Sequence, residues 1–228
     1  MITGIFLGLQ VTEWNDERKF RLKEAVYIKQ FQTDIETSIT LGKAFRLNNE
    51  AFKKATEVLA KMAASPPLKI DEDTFDDNMN AGTYELDNFR FVRKTWKEPI
   101  SSGQYNQFGD VVLRKLIDRI VERQDLMNTR VENLTVYTRD IVDYWLTQNY
   151  DMWRIHTLKY VNTQQQTDMP QSIGDIDIKA ILSDRTFRNI LAYRRLFVTQ
   201  YLRDYSEIHA DYKLLQKTLA VKLIALQE

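Results

Sequence analysis

Residues 113–145, LRKLIDRIVERQDLMNTRVENLTVYTRDIVDYW, decide the fold class. Steps of four and three visit Leu113, Ile117, Ile120, Gln124, Met127, Val131, Leu134, Thr138, Ile141 and Trp145. Eight of these ten positions are apolar, and the pattern holds for more than four heptads. A strand alternates with period two, so only a helix puts these residues on one face. The stripe is the seam of a bundle or coiled-coil helix. The helix is expected to run on to about Val161, with Trp153 and Tyr160 extending its apolar side.

The same spacing recurs on both sides of this stretch. Downstream, Ser183-Asp184 reads as the N-cap of a last helix. Its stripe is Phe187, Leu191, Arg194, Val198, Tyr201, Tyr205, Ile208, Tyr212, Leu215, Leu219, Lys222 and Leu226. Upstream, Phe31, Ser38, Phe45, Phe52 and Leu59 fall in one column with Ile28 and Ile35 beside it, interrupted at Gly42 and Asn49. Ser65-Pro66-Pro67 ends that first helix, because proline cannot continue it. Shorter elements lie between: a helical turn near Phe75 to Met79, a capping box at Thr95-Trp96-Lys97-Glu98, an N-cap at Asp110 and a turn near Ile178 to Leu182. Asn162 to Gly174 reads as a polar loop. Only 7 glycines and 4 prolines interrupt 228 residues. The expected fold is all-α, an antiparallel coiled-coil-like bundle of about three long helices plus short ones.

Composition excludes several chemistries. The chain balances 32 Lys+Arg against 32 Asp+Glu and has no dense basic run, so nucleic acid is not an expected partner. It has no cysteine, which removes disulfides, thiolate metal sites and cysteine nucleophiles. A carboxylate-bridged metal pair in a bundle needs Glu-x-x-His motifs. Trp153 stands three residues before His156 and Ser206 three before His209, so no metal is expected. Neither a nucleophile elbow nor a glycine-rich phosphate loop occurs, and neither catalysis nor a cofactor is expected. The tyrosines of the last helix admit two readings. They are core, or they line a pocket between helices as in a ligand-binding sensor. Arg194 and Lys222 within that stripe either snorkel or set register.

Residues 1–11, MITGIFLGLQV, are apolar apart from Thr3 and Gln10 and run directly into Glu13-Trp14-Asn15-Asp16-Glu17-Arg18-Lys19. A helix of that length covers about 16 Å, roughly half of a ~30 Å hydrocarbon core. Trp14 stands where apolar gives way to charged, a position favoured at a membrane surface. Residues 1–14 are therefore expected to be the C-terminal half of a membrane anchor, with Phe6, Leu7, Leu9, Val11 and Trp14 at the interface. Residues 15–228 are expected to form one helical domain.

Three stretches carry a resemblance. Gly4 to Lys19 is similar to the end of the spanning segment in a bacterial membrane-anchored helical family, the domain of unknown function 6090 type, where an apolar run closes as G-I-L-I-A-L-Q-x-N-x-W-N-E-x-R-K. Trp96-Lys97-Glu98-Pro99-Ile100-Ser101-Ser102-Gly103 with Leu113-Arg114 resembles that family's central segment, and Asp184 to Leu191 resembles a late helix start. Pro99 stands where the family has an apolar residue, and the family's basic leader and first half-span are not in this sequence. The resemblance implies one spanning helix at the bacterial inner membrane and a helical domain in the periplasm, and it brings no activity, cofactor or catalytic residue. The expected role is a membrane-tethered interaction or scaffold module that meets a protein partner or a second copy through its helices, with Tyr201, Tyr205, Tyr212, Leu215 and Leu219 as the contact seam. A ligand-binding sensor bundle is the alternative, and a cytoplasmic helical adaptor a more distant one.

Overall fold

The computed structural model describes residues 2–85, 87–89, 91–101, 110–151, 154 and 176–226, and for 2–10 and 97–98 it describes the backbone alone. The protein is all-α, and no strand occurs among the described residues. The long helices are α1 (Ile2–Ala64), α4 (Val111–Tyr137) and α7 (Arg185–Ala225). The short ones are α2 (Glu72–Met79), α3 (Lys97–Ser101), α5 (Tyr144–Asn149) and α6 (Ile178–Ser183). Two π-turns, Asn80–Tyr84 and Thr138–Asp143, follow α2 and α4 directly. Contacts gather into two units, and the single domain expected over 15–228 is described as those two: unit 1 from Met1–Gly42, Arg90–Gln124 and Glu207–Glu228, unit 2 from Lys43–Phe89 and Asp125–Ser206.

In unit 1 the three long helices bury one another's stripes. Ile28, Phe31 and Ile35 of α1, Leu113, Ile117 and Ile120 of α4, and Ile208, Tyr212, Leu215 and Leu219 of α7 are all buried. Charged pairs flank this core and fix its antiparallel register. Arg119 and Arg123 of α4 donate to Asp211 of α7 at 2.6 and 2.9 Å, and Lys222 of α7 reaches Glu24 of α1 at 3.4 Å. The segment before α3 is pinned to α1. Asp34 accepts from the Thr95 backbone N–H at 3.1 Å and its hydroxyl at 2.5 Å, while the Ser38 hydroxyl accepts from the Val92 N–H at 3.2 Å. Thr95 thus serves as an anchor to Asp34. Asp110 caps α4 as its position predicts, accepting from the N–H groups of Val112 and Leu113 at 2.9 and 3.1 Å.

Unit 2 packs Leu59 of α1, Phe75 and Met79 of α2, Leu146 of α5, Leu182 of α6 and Phe187 of α7 into one cluster. Asp184 organises its closing corner. It caps α7 by accepting from the Phe187 N–H at 2.7 Å, and it takes the Trp145 indole N–H at 2.9 Å. The Trp145 ring stacks on Phe187 with centroids 5.0 Å apart.

Two sequence expectations need correction here. The stripe misses at Ile141, which is 41% exposed while Val142 is 2% exposed in its place, although Trp145 at its end is buried as expected. The π-turn over Thr138–Asp143 inserts an extra residue into the helical count and brings Val142 to the core position. The helix also stops at Asn149 rather than near Val161. Tyr150 turns to extended backbone (φ −141°, ψ 144°), and its hydroxyl donates to buried Asp76 at 2.5 Å. Trp153, Tyr160 and the loop expected over 162–174 lie outside the described residues.

Candidate functional site

The residues expected to meet a membrane are only partly described. Phe6, Leu7 and Leu9 have helical backbone and no described side chain. Val11 and Trp14 are 63% and 62% exposed, and the Arg18 guanidinium lies 5.8 Å from the Trp14 ring centroid. Among the described residues no helix is long and apolar enough to cross a membrane. An open cleft of about 390 Å³ lies near this end of unit 1, lined by Glu17, Phe20, Arg21, Glu24, Lys222 and Ala225.

The expected contact seam lies inside the protein. Tyr201, Tyr205, Tyr212, Leu215 and Leu219 are each 4% exposed or less. Helix α1 fills the seam: Phe45 meets the Tyr201 and Tyr205 rings at 5.0 Å in unit 2. The Tyr201 hydroxyl accepts from the Phe89 N–H and donates to Asn88, both at 3.3 Å. Burial pushes the Tyr201 phenol well above its ordinary pKa. The Tyr212 hydroxyl accepts from Gln124 in unit 1, and burial raises its pKa in the same way. Tyr201, Tyr205 and Tyr212 are core residues. Their spacing alone could not decide this, since core and docking seams share one period.

Apart from Arg194 and Asn49, the buried polar groups of unit 2 went unrecognised in the sequence. Gly82, in the first π-turn, approaches α1 so closely that an added Cβ would stand 2.9 Å from the Thr56 backbone N. The Thr56 hydroxyl donates to the Gly82 carbonyl at 2.9 Å and closes the contact. Glycine is needed there for its missing side chain. Gly82→Ala is expected to destabilise unit 2 by about 1–3 kcal/mol through overpacking against backbone, read as a lower unfolding midpoint in denaturant. Asn80, which opens this turn, donates to Glu85 just after it at 3.3 Å. Arg194 of α7 is 2% exposed, so it does not snorkel, and no hydrogen bond reaches its three nitrogens among the described residues.

The second π-turn packs against the first and carries Asp143, whose Oδ1 is buried without a hydrogen-bond partner among the described residues. Burial raises its carboxyl pKa. The folded protein therefore holds this proton more tightly than the unfolded chain does, and stability falls as pH rises from the unfolded pKa through the folded one. Asp143→Asn is expected to raise the neutral-pH melting temperature and to flatten that part of the pH profile, measured by thermal melts across the acidic range.

No group of metal-ligating residues occurs among the described residues; His156 lies outside them, and His209 is half-buried on α7. Neither a family model, nor a characterised protein, nor a solved structure matches this chain.

Proposed function

We propose that the chain is a membrane-tethered helical interaction module, working on the periplasmic side of a bacterial inner membrane through protein contacts. The observation that carries this reading is the N-terminal end of α1. The helix is unbroken from Ile2 through the apolar run and past Trp14, and Val11 and Trp14 stand exposed where that run meets charged sequence. An indole at such a boundary, with a guanidinium over it, suits the headgroup layer.

The contact surface in this reading is the outer face of α1. Val11, Trp14, Leu22 and Val26 are between 53% and 63% exposed. At about 100° per residue they fall within roughly a third of the helix circumference. An exposed apolar face on a charged helix, interrupted here by Asn15 and Arg18, is suited to a second helix laid along it, from another copy or from a partner. Replacing Leu22 and Val26 together with aspartate is expected to abolish concentration-dependent association in sedimentation experiments while leaving the melting temperature unchanged, since neither side chain is in the core.

Fractionation of the native gene product, with protease accessibility in spheroplasts, tests the tether. The reading expects pelleting with membranes and cleavage from outside. A soluble protein that is protected in spheroplasts would overturn the placement and favour a cytoplasmic adaptor.

A further inference from the structure

Arg194 occupies a core position of α7, on one stripe with Leu191, Val198 and Tyr201. A guanidinium offers five N–H donors and accepts no hydrogen bond. Here Nε, Nη1 and Nη2 are all buried without a hydrogen-bond partner among the described residues. Burial pushes its pKa down to about 10, against the pull of Glu85, so the group is still a cation at neutral pH. A buried charge needs an opposite charge in contact with it, because desolvation is otherwise uncompensated.

Glu85 is the carboxylate whose field reaches Arg194, yet no Arg194 nitrogen is hydrogen-bonded to it. It instead accepts from Asn80 and sits in extended backbone (φ −67°, ψ 136°) directly after the first π-turn. That turn is itself held in place by the Gly82–Thr56 contact. The donors of Arg194 thus lie within the field of a carboxylate that leaves their hydrogen bonds unmade.

We infer that Arg194 is the anchor of a site in unit 2 for a small carboxylate, taken up beside the first π-turn with its two oxygens on the guanidinium fork. The planar fork matches a carboxylate bidentately, which spherical anions cannot exploit. The neighbouring negative charge of Glu85 disfavours dianions, so a monovalent carboxylate is preferred over sulfate or phosphate. This goes beyond the proposed tethering role and does not depend on it.

The test uses the full chain in acetate, chloride, sulfate or phosphate at matched ionic strength. Unfolding temperature is followed, together with the NMR signals of the arginine Nε–H groups. A saturable rise in melting temperature with acetate alone is expected, as linkage requires of a ligand that binds only the folded state. One protected Nε–H resonance should shift with the same saturation. Arg194→Met removes the charge at similar bulk and is expected to fold and to lose the response; Arg194→Lys, which keeps the charge without the fork, should retain a weaker one. Glu85→Gln is expected to lower the half-saturating acetate concentration severalfold. The inference is overturned by the absence of a saturable response, by a response that survives Arg194→Met, or by a Glu85→Gln variant that melts lower and ignores acetate. That last result would make Glu85 the counter-ion of Arg194.

Discussion

Trp96→Ala is expected to lower the stability of unit 1 by about 3–5 kcal/mol, the range for deleting a large buried aromatic side chain. Trp96 is 2% exposed and packs on Phe31 with ring centroids 5.3 Å apart. It stands next to Thr95, which Asp34 holds by two hydrogen bonds. The indole N–H has no hydrogen-bond partner among the described residues, so the loss is one of packing. Trp96→Phe should therefore recover most of the stability, since it refills much of the cavity and keeps a ring against Phe31. Denaturant midpoints of the two variants check this. An alanine variant as stable as the parent would mean that the 91–96 segment contributes little to the core it covers.

The second large effect is expected in unit 2. Asp76, 6% exposed, accepts from the Tyr150 hydroxyl at 2.5 Å and from Arg154 Nε at 2.7 Å, and Arg154 also reaches Glu72 at 2.8 Å. Burial works against the Arg154 charge, but the hydrogen bonds it donates to Glu72 and Asp76 outweigh it and hold its pKa above the ordinary value. The Tyr150 phenol is also raised, by burial first and by Asp76 second. Asp76→Ala strips the guanidinium and the phenol of their common partner, and breaking a buried pair in this way costs about 3–5 kcal/mol. Asp76→Asn keeps an acceptor for Tyr150 and should lose less. A double-mutant cycle with Arg154→Met measures the coupling: if the two changes simply add, the pair is not the source of the effect.

The long helices were legible because their stripes obey one period over many turns. Phe31, Ile35, Leu113, Ile117, Phe187 and Leu191 are buried as that period requires. The caps at Asp110 and Asp184 were legible because an acid before an apolar run has a local reason to be there. The π-turns left no such mark. Nothing in Thr138-Arg139-Asp140-Ile141-Val142-Asp143 announces the extra residue that puts Val142 in the core in place of Ile141. Arg194 stood out as a charge within a stripe, but spacing cannot say whether such a side chain reaches water. Gly82 was equally silent, since its reason is a neighbouring helix 26 residues earlier in the chain, at Thr56. Which face of a helix is left open for a partner likewise depends on what the rest of the chain covers.

The placement of the tryptophans also makes the protein its own optical probe. Of the four, Trp14 faces solvent, Trp96 is enclosed in unit 1, Trp145 is enclosed in unit 2, and Trp153 lies outside the described residues. Trp145 is stacked on Phe187 and donates to Asp184, so its emission differs in environment from that of Trp96. Variants that keep a single tryptophan, the others replaced by phenylalanine, would give each unit its own fluorescence signal. Separate melting of the two units would then appear as two transitions in two spectra. A shift of Trp14 emission to shorter wavelength on adding lipid vesicles would report the N-terminal end alone.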